Sequence, residues 1–149
     1  MNTPKQDCEH LMQDILPLAK RMLADHGEFY PYGGMLRADR EIVHVGAQEK
    51  GTDMPASRTL IDILQRHFRE EAASNTIIAS CLVFDVRIRR PGTSDKVDAI
   101  QVNLDHITDY SVEVIFPYGL EHGRLIVDEP FAQAGDGLIF GRTSNSDSV

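Results

Sequence analysis

The sequence predicts one α+β domain, a five-stranded antiparallel sheet with two helices in the chain order α-ββ-α-βββ. Three observations carry this expectation. Apolar residues recur at helical spacing in residues 5–26 and 55–73. They alternate at period two in three runs between 76 and 118. An aromatic and β-branched stretch, 29–47, lies between the helical segments and is broken by one polar group suited to a tight turn. A chain of 149 residues, 42% hydrophobic and 26% charged, is enough to bury a single core without a disulfide or metal. No repeat, low-complexity tract or linker divides it, so residues 1–149 read as one domain.

In the first segment Cys8, Leu11, Met12, Ile15, Ala19, Met22 and Leu23 form an apolar stripe with charges between them, and Gly27 is placed to end the helix. Pro17 lies inside this pattern, where it removes a backbone donor and crowds the preceding turn, so a kink or a split is expected there. Residues 29–47 predict a hairpin turning at Ala38-Asp39-Arg40. Its first part, Phe29-Tyr30-Pro31-Tyr32-Gly33-Gly34, is not expected to be a regular central strand, because Pro31 has no donor and the glycines permit a bend. Thr52 or Asp53 is the expected cap of the second helix, with Pro55 in its first turn. That helix gathers Leu60, Ile61, Leu64, His67, Phe68 and Ala72 on one face, where His67 reads as a packed residue, and Ser74-Asn75 closes it.

Residues 76–89, 97–107 and 111–118 then read as a three-stranded meander. Ile78, Leu82, Phe84, Val86 and Ile88 share a face of the first strand, Ile100, Val102 and Leu104 of the second, and Val112, Val114 and Phe116 of the third. Aligning those faces places Cys81, Val83, Asp85, Arg87, Ala99, Gln101, Asn103, Asp105, Glu113 and Ile115 on the other side, with Asp105 across from Glu113. Residues 124–127 suggest a short strand, residues 135–140 a segment docking Leu138, Ile139 and Phe140, and residues 143–149 a disordered polar tail. With a helix covering or flanking each face, the order resembles the profilin-like and roadblock-like sandwiches. That likeness is of element order and implies no function.

Fifteen Lys and Arg against 23 Asp and Glu leave a formal charge of −8, and no basic run is longer than Arg87, Arg89 and Arg90. Such a chain repels phosphate backbones and anionic headgroups, so neither nucleic acid nor membrane is an expected partner. No stretch approaches the ~18 apolar residues of a membrane span, and residues 1–20 lack a signal-peptide core, so a cytoplasmic location is expected. Cys8 and Cys81 stand far apart in sequence and read as buried reduced thiols.

Two stretches carry a likeness. Glu28-Phe29-Tyr30-Pro31-Tyr32-Gly33, together with Lys96 to Ile100, Asp105-His106 and Val114-Ile115-Phe116-Pro117-Tyr118, is similar to a family of uncharacterised bacterial single-domain proteins with a Phe-x-Pro-aromatic-Gly turn and a strand ending in Pro-Tyr. The resemblance spans about residues 10 to 140. It implies a bacterial cytoplasmic origin and carries over no catalytic residue.

Three groups of residues could carry chemistry. Asp85, Asp105 and Glu113 on the polar sheet face would suit a basic protein partner, since like carboxylates side by side must be relieved by a cation, a proton or water. Tyr30, Tyr32 and Tyr118 at strand ends would suit a recognition patch. His106, Glu121 and His122, joined by Asp105 or Glu113, have the donor types of a Zn²⁺ or acid–base site, although a packed histidine and a turn explain them as well. No nucleophile elbow and no phosphate loop is present. The expectation is a non-enzymatic, acidic, immunity-like or accessory module that binds a basic protein without a cofactor. The alternatives are a small metal-dependent hydrolase and a self-associating subunit, for which a homodimer is the simplest form.

Overall fold

The computed structural model describes residues 2–52 and 54–141. Helix α1 runs from Pro4 to His26. Thr3 and Gln6 form a reciprocal cap at its start, with the Thr3 hydroxyl accepting from the Gln6 amide at 3.1 Å and the Gln6 side chain accepting from the Thr3 amide at 2.9 Å. Gly27, at φ +77°, donates to the Leu23 carbonyl and ends it as expected. Pro17 does not split α1, which is continuous over 23 residues. The turn that contains the proline is bridged by the Tyr32 hydroxyl, which donates to the Ile15 carbonyl at 2.6 Å and accepts from the Ala19 amide at 2.9 Å.

Strands β1 (Tyr32–Arg37) and β2 (Ile42–Val45) form the expected hairpin, whose turn holds Arg40 at φ +79°. Gly33 and Gly34 lie inside β1, which sits between β2 and β3, so the expectation that this stretch is no central strand is corrected from Tyr32 onward. The diglycine is a packing device. A Cβ at Gly33 would stand 2.1 Å from the Cys81 carbonyl oxygen, and one at Gly34 would stand 2.3 Å from Ile15 Cδ1. Helix α2 (Ser57–Ala73) starts two residues beyond Pro55, and its Ala56 cap makes no side-chain bond. The expected cap Thr52 instead accepts from the Met54 amide in a local turn, and Asp53 lies outside the described residues.

Strands β3 (Ile77–Arg89), β4 (Lys96–His106) and β5 (Tyr110–Glu121) form the meander, followed by β6 (Arg124–Val127) and β7 (Phe131–Ala134). The sheet is antiparallel in the order β2-β1-β3-β4-β5-β6. β7 pairs with the first half of β5 and β6 with the second. Two strands therefore follow the five expected, and the anticipated count and order are not matched in full.

The register corrects the expected face of β3. Val83 opposes Val102 and Cys81 opposes Leu104, while Val102 opposes Val114. Opposed residues point to the same side. Ala79, Cys81 and Val83 therefore join Ile100, Val102, Leu104 and Phe116 under α1, and Leu82 faces the other way with Leu64 and Phe68 of α2. The physical reason is that β3 is apolar on both sides from Ile77 to Phe84, because it is covered by a helix on each, so alternation alone does not choose a face. The domain has three layers, α1, sheet and α2, with one core in each interface.

Candidate functional site

α2 contacts β1 and β3, leaving the β4 and β5 half of its face to residues 135–139. Ser111 pins that segment. Its carbonyl accepts from the Gly135 amide and its hydroxyl from the Gly137 amide, each at 3.1 Å. Gly135 lies so close that a Cβ there would stand 2.2 Å from the Ser111 hydroxyl. Ile139 then enters the core beside Leu64, Phe68 and Leu82. Between this segment and α2 lies a narrow cleft of about 30 Å³, lined by Asp105, Glu113 and Asp136 together with Gln65, Ser80 and Asn103. Among the described residues no Lys, Arg or His lines it. Leu138, 52% exposed, stands in its wall.

The carboxylates are spaced differently from the expectation. Asp105 opposes Ser111, and Glu113 opposes Asn103, so the two acids are offset by one pair. Asp105 is 8% exposed. Glu113 accepts from Gln133 of β7 at 2.7 Å, and Asn103 accepts from Gln101 at 2.9 Å. Asp85 does not join them. It opposes Ile100 on the α1 side and accepts from the Tyr118 hydroxyl at 2.8 Å. Burial pushes its carboxyl above the ordinary range; the Tyr118 bond opposes this, and Asp98 and Glu28 add repulsion.

The three tyrosines do not form one patch. Tyr30 is 48% exposed and lines an open cleft with Glu28, Ser57, Asp85 and Asp98. Tyr32 and Tyr118 are buried, and burial raises the pKa of both hydroxyls. Phe29 packs edge-on against Tyr32 at 6.0 Å between ring centres.

His106 and His122 are separated by the length of β5. His106 opposes Tyr110 at one end of that strand, and Glu121 and His122 form the turn at the other, about 36 Å along the strand at roughly 3.3 Å per residue. Among the described residues no group of three or more His, Cys, Asp or Glu is arranged to hold a metal ion. The partner of His106 is a residue sequence reasoning passed over. Nε2 lies 2.8 Å from Asp7 Oδ2, both side chains are buried, and Arg40 from the hairpin turn bonds the other Asp7 oxygen. Burial works to raise the Asp7 pKa, but the hydrogen bonds from Arg40 and His106 outweigh it and hold the carboxyl below its ordinary range. One signal was present: Asp7 stands four residues before Leu11, on the edge of the buried stripe of α1.

On its other side His106 Nδ1 accepts from the Thr108 amide at 3.1 Å and lies 2.8 Å from the Thr108 hydroxyl. A nitrogen that accepts an amide hydrogen carries none, so the proton of the neutral ring is on Nε2 and is donated to Asp7. Compared with protein-family models, with curated proteins and with solved structures, the chain finds no match.

Proposed function

We propose that this chain is a non-enzymatic acidic protein-binding module, of immunity or accessory type, whose second-face cleft receives a basic side chain of a protein partner in the bacterial cytoplasm. The observation that carries this reading is the lining of that cleft, which brings three carboxylates together with several amide and hydroxyl groups, on a chain of net charge −8. A guanidinium offers five donors in a planar fork and is weakly hydrated, which suits a site walled by Asp105, Glu113 and Asp136. Exposed Leu138 beside the carboxylates adds the apolar contact that a protein surface supplies and a free ion does not. Two buried free thiols accord with a reducing compartment.

The test is an amide-detected NMR titration with an N-acetyl-arginine amide, using the norleucine analogue as control. Shifts at Glu113, Asp136 and Leu138 with arginine alone, reduced at least about tenfold in affinity by Glu113→Gln with Asp136→Asn, are expected. Equal response to the two probes, or no change in the double variant, overturns the reading.

A further inference from the structure

Eleven glycines stand in the chain, and only Gly137, after Asp136, follows an aspartate or an asparagine. That pair is the one most prone to internal ring closure, because the glycine has no side chain to keep its nitrogen from the preceding carboxyl. It lies in the segment that covers β4 and β5 beside α2, with Asp136 exposed and Gly137 at φ +66°. The amides of both neighbours of the aspartate are held by one residue. The Ser111 carbonyl accepts from Gly135 and the Ser111 hydroxyl from Gly137, each at 3.1 Å. Buried Ile139 anchors the segment two residues further on. Ring closure takes the hydrogen from the Gly137 nitrogen, so the bond to the Ser111 hydroxyl does not survive it.

We propose that Asp136-Gly137 is a modification site, an aspartyl peptide that converts to isoaspartate once residues 135–137 lift off Ser111, and that Ser111 is its guard. The Gly137 nitrogen attacks Cγ of the protonated Asp136 carboxyl. A Cγ–N bond forms, the Cγ–OH bond breaks, the amide hydrogen leaves through solvent, and one water is released in all. Water then adds to a carbonyl of the succinimide. Cleavage of the ring bond at Cγ restores aspartate, whereas cleavage at the Asp136 carbonyl carbon leaves the main chain running through Cβ and Cγ. One water is lost and one regained, with no change of oxidation state and no co-reactant. The isoaspartyl link puts an extra methylene between two amides that Ser111 holds at a fixed spacing, so both bonds cannot re-form together. Conversion is thus a release of residues 135–139 from β5, and its chemistry is independent of what the cleft binds.

The test ages the full chain at neutral pH, folded and unfolded in guanidinium chloride, and reads Asp136 by electron-transfer mass spectrometry, which cleaves the extra backbone carbon–carbon bond and so separates the two isomers. Isoaspartate should accumulate at Asp136 in the unfolded chain and at least about tenfold more slowly in the folded one, where it waits on local opening. Folded Ser111→Ala should convert about two- to tenfold faster than folded wild type, the factor in opening that one hydrogen bond supplies. Asp136→Glu, whose ring closure is slower by its larger ring, should show no isomer. Equal rates in folded and unfolded wild type overturn the proposal, as does a folded Ser111→Ala that converts no faster than wild type. Should that variant not fold, wild type decides: amide exchange at Gly137 reads the opening of the same bond, so dilute guanidinium should speed exchange and conversion by the same factor. Conversion that stays constant while exchange at Gly137 rises overturns the proposal.

Discussion

The hydroxyl of Tyr32 donates to the carbonyl of Ile15 at 2.6 Å and so ties the first strand into the middle of the first helix. Through the Ala19 amide it also bridges the two backbone groups that would bond each other in an uninterrupted helix, at the turn that Pro17 occupies. A helix interrupted by proline is thus held continuous by a side chain from the sheet below it.

Tyr32→Phe is therefore expected to lower stability by about 1–2 kcal/mol, since it removes a buried partner from two backbone groups. In a Pro17→Ala background the turn can tighten and the cost should shrink by roughly 0.5 kcal/mol or more, a non-additivity read from urea midpoints of the four-member cycle. Burial also raises the Tyr32 pKa. The folded state thus prefers the neutral phenol, its contribution is complete below the unfolded value of about 10, and wild-type stability should fall above that pH more steeply than that of Tyr32→Phe.

Asp7→Asn should cost about 2–3 kcal/mol at neutral pH, because it withdraws the charged acceptor shared by His106 and Arg40. The folded carboxyl titrates below its ordinary range. Its stabilisation is therefore present above the unfolded value of about 3.9 and is lost as the pH falls through the folded one. Urea midpoints of wild type and variant should converge below about pH 4, and a constant difference down to acid pH would contradict the pairing.

Asp85 shifts the other way. Its carboxyl is raised by burial, with Asp98 and Glu28 adding to the effect against the Tyr118 bond. Ionised Asp85 thus weighs against the fold at neutral pH, and wild-type stability on this account falls as the pH rises through the interval between the unfolded and folded values. Asp85→Asn keeps an acceptor for the Tyr118 hydroxyl and removes the charge, so the urea midpoint should rise at pH 7. The gain should vanish in acid, where the wild-type carboxyl is already neutral.

The two adjacent glycines of β1 should respond unequally to alanine. At Gly33 the new methyl meets the Cys81 carbonyl, which the β1 to β3 ladder holds in place, whereas at Gly34 it meets the Ile15 side chain. Gly33→Ala should cost about 3 kcal/mol or more and Gly34→Ala about 1–3 kcal/mol. Ile15→Val should recover part of the loss only for Gly34→Ala, which thermal unfolding of the single and paired variants will show.

Much of this architecture is readable along the chain. The stripe from Cys8 to Leu23 places α1, Leu60, Leu64 and Phe68 place the buried line of α2, and alternation around Val102 and Val114 places two strands. The short strand at 124–127 and the docking of Ile139 follow from the same local signals. The site is less legible. Asp105 and Glu113 reach the cleft as lining residues, but Asp136 shares it only because residues 135–139 fold back onto Ser111. Asp85 departs to the opposite face because β3 carries apolar residues on both sides.

What the sequence determined by itself is the two helices, the hairpin, the three-stranded meander and the net charge of −8, since periodicity and composition are local properties that neighbouring residues impose on one another, whereas β7 carried no such signal. The tertiary structure decided which faces meet. Asp7 and His106 lie 99 residues apart, and the diglycine of β1 is intelligible only once a helix presses on each side of it. Those relations depend on side-chain volumes and hydrogen-bond partners brought together by two cores at once, and no spacing along a single strand or helix encodes them.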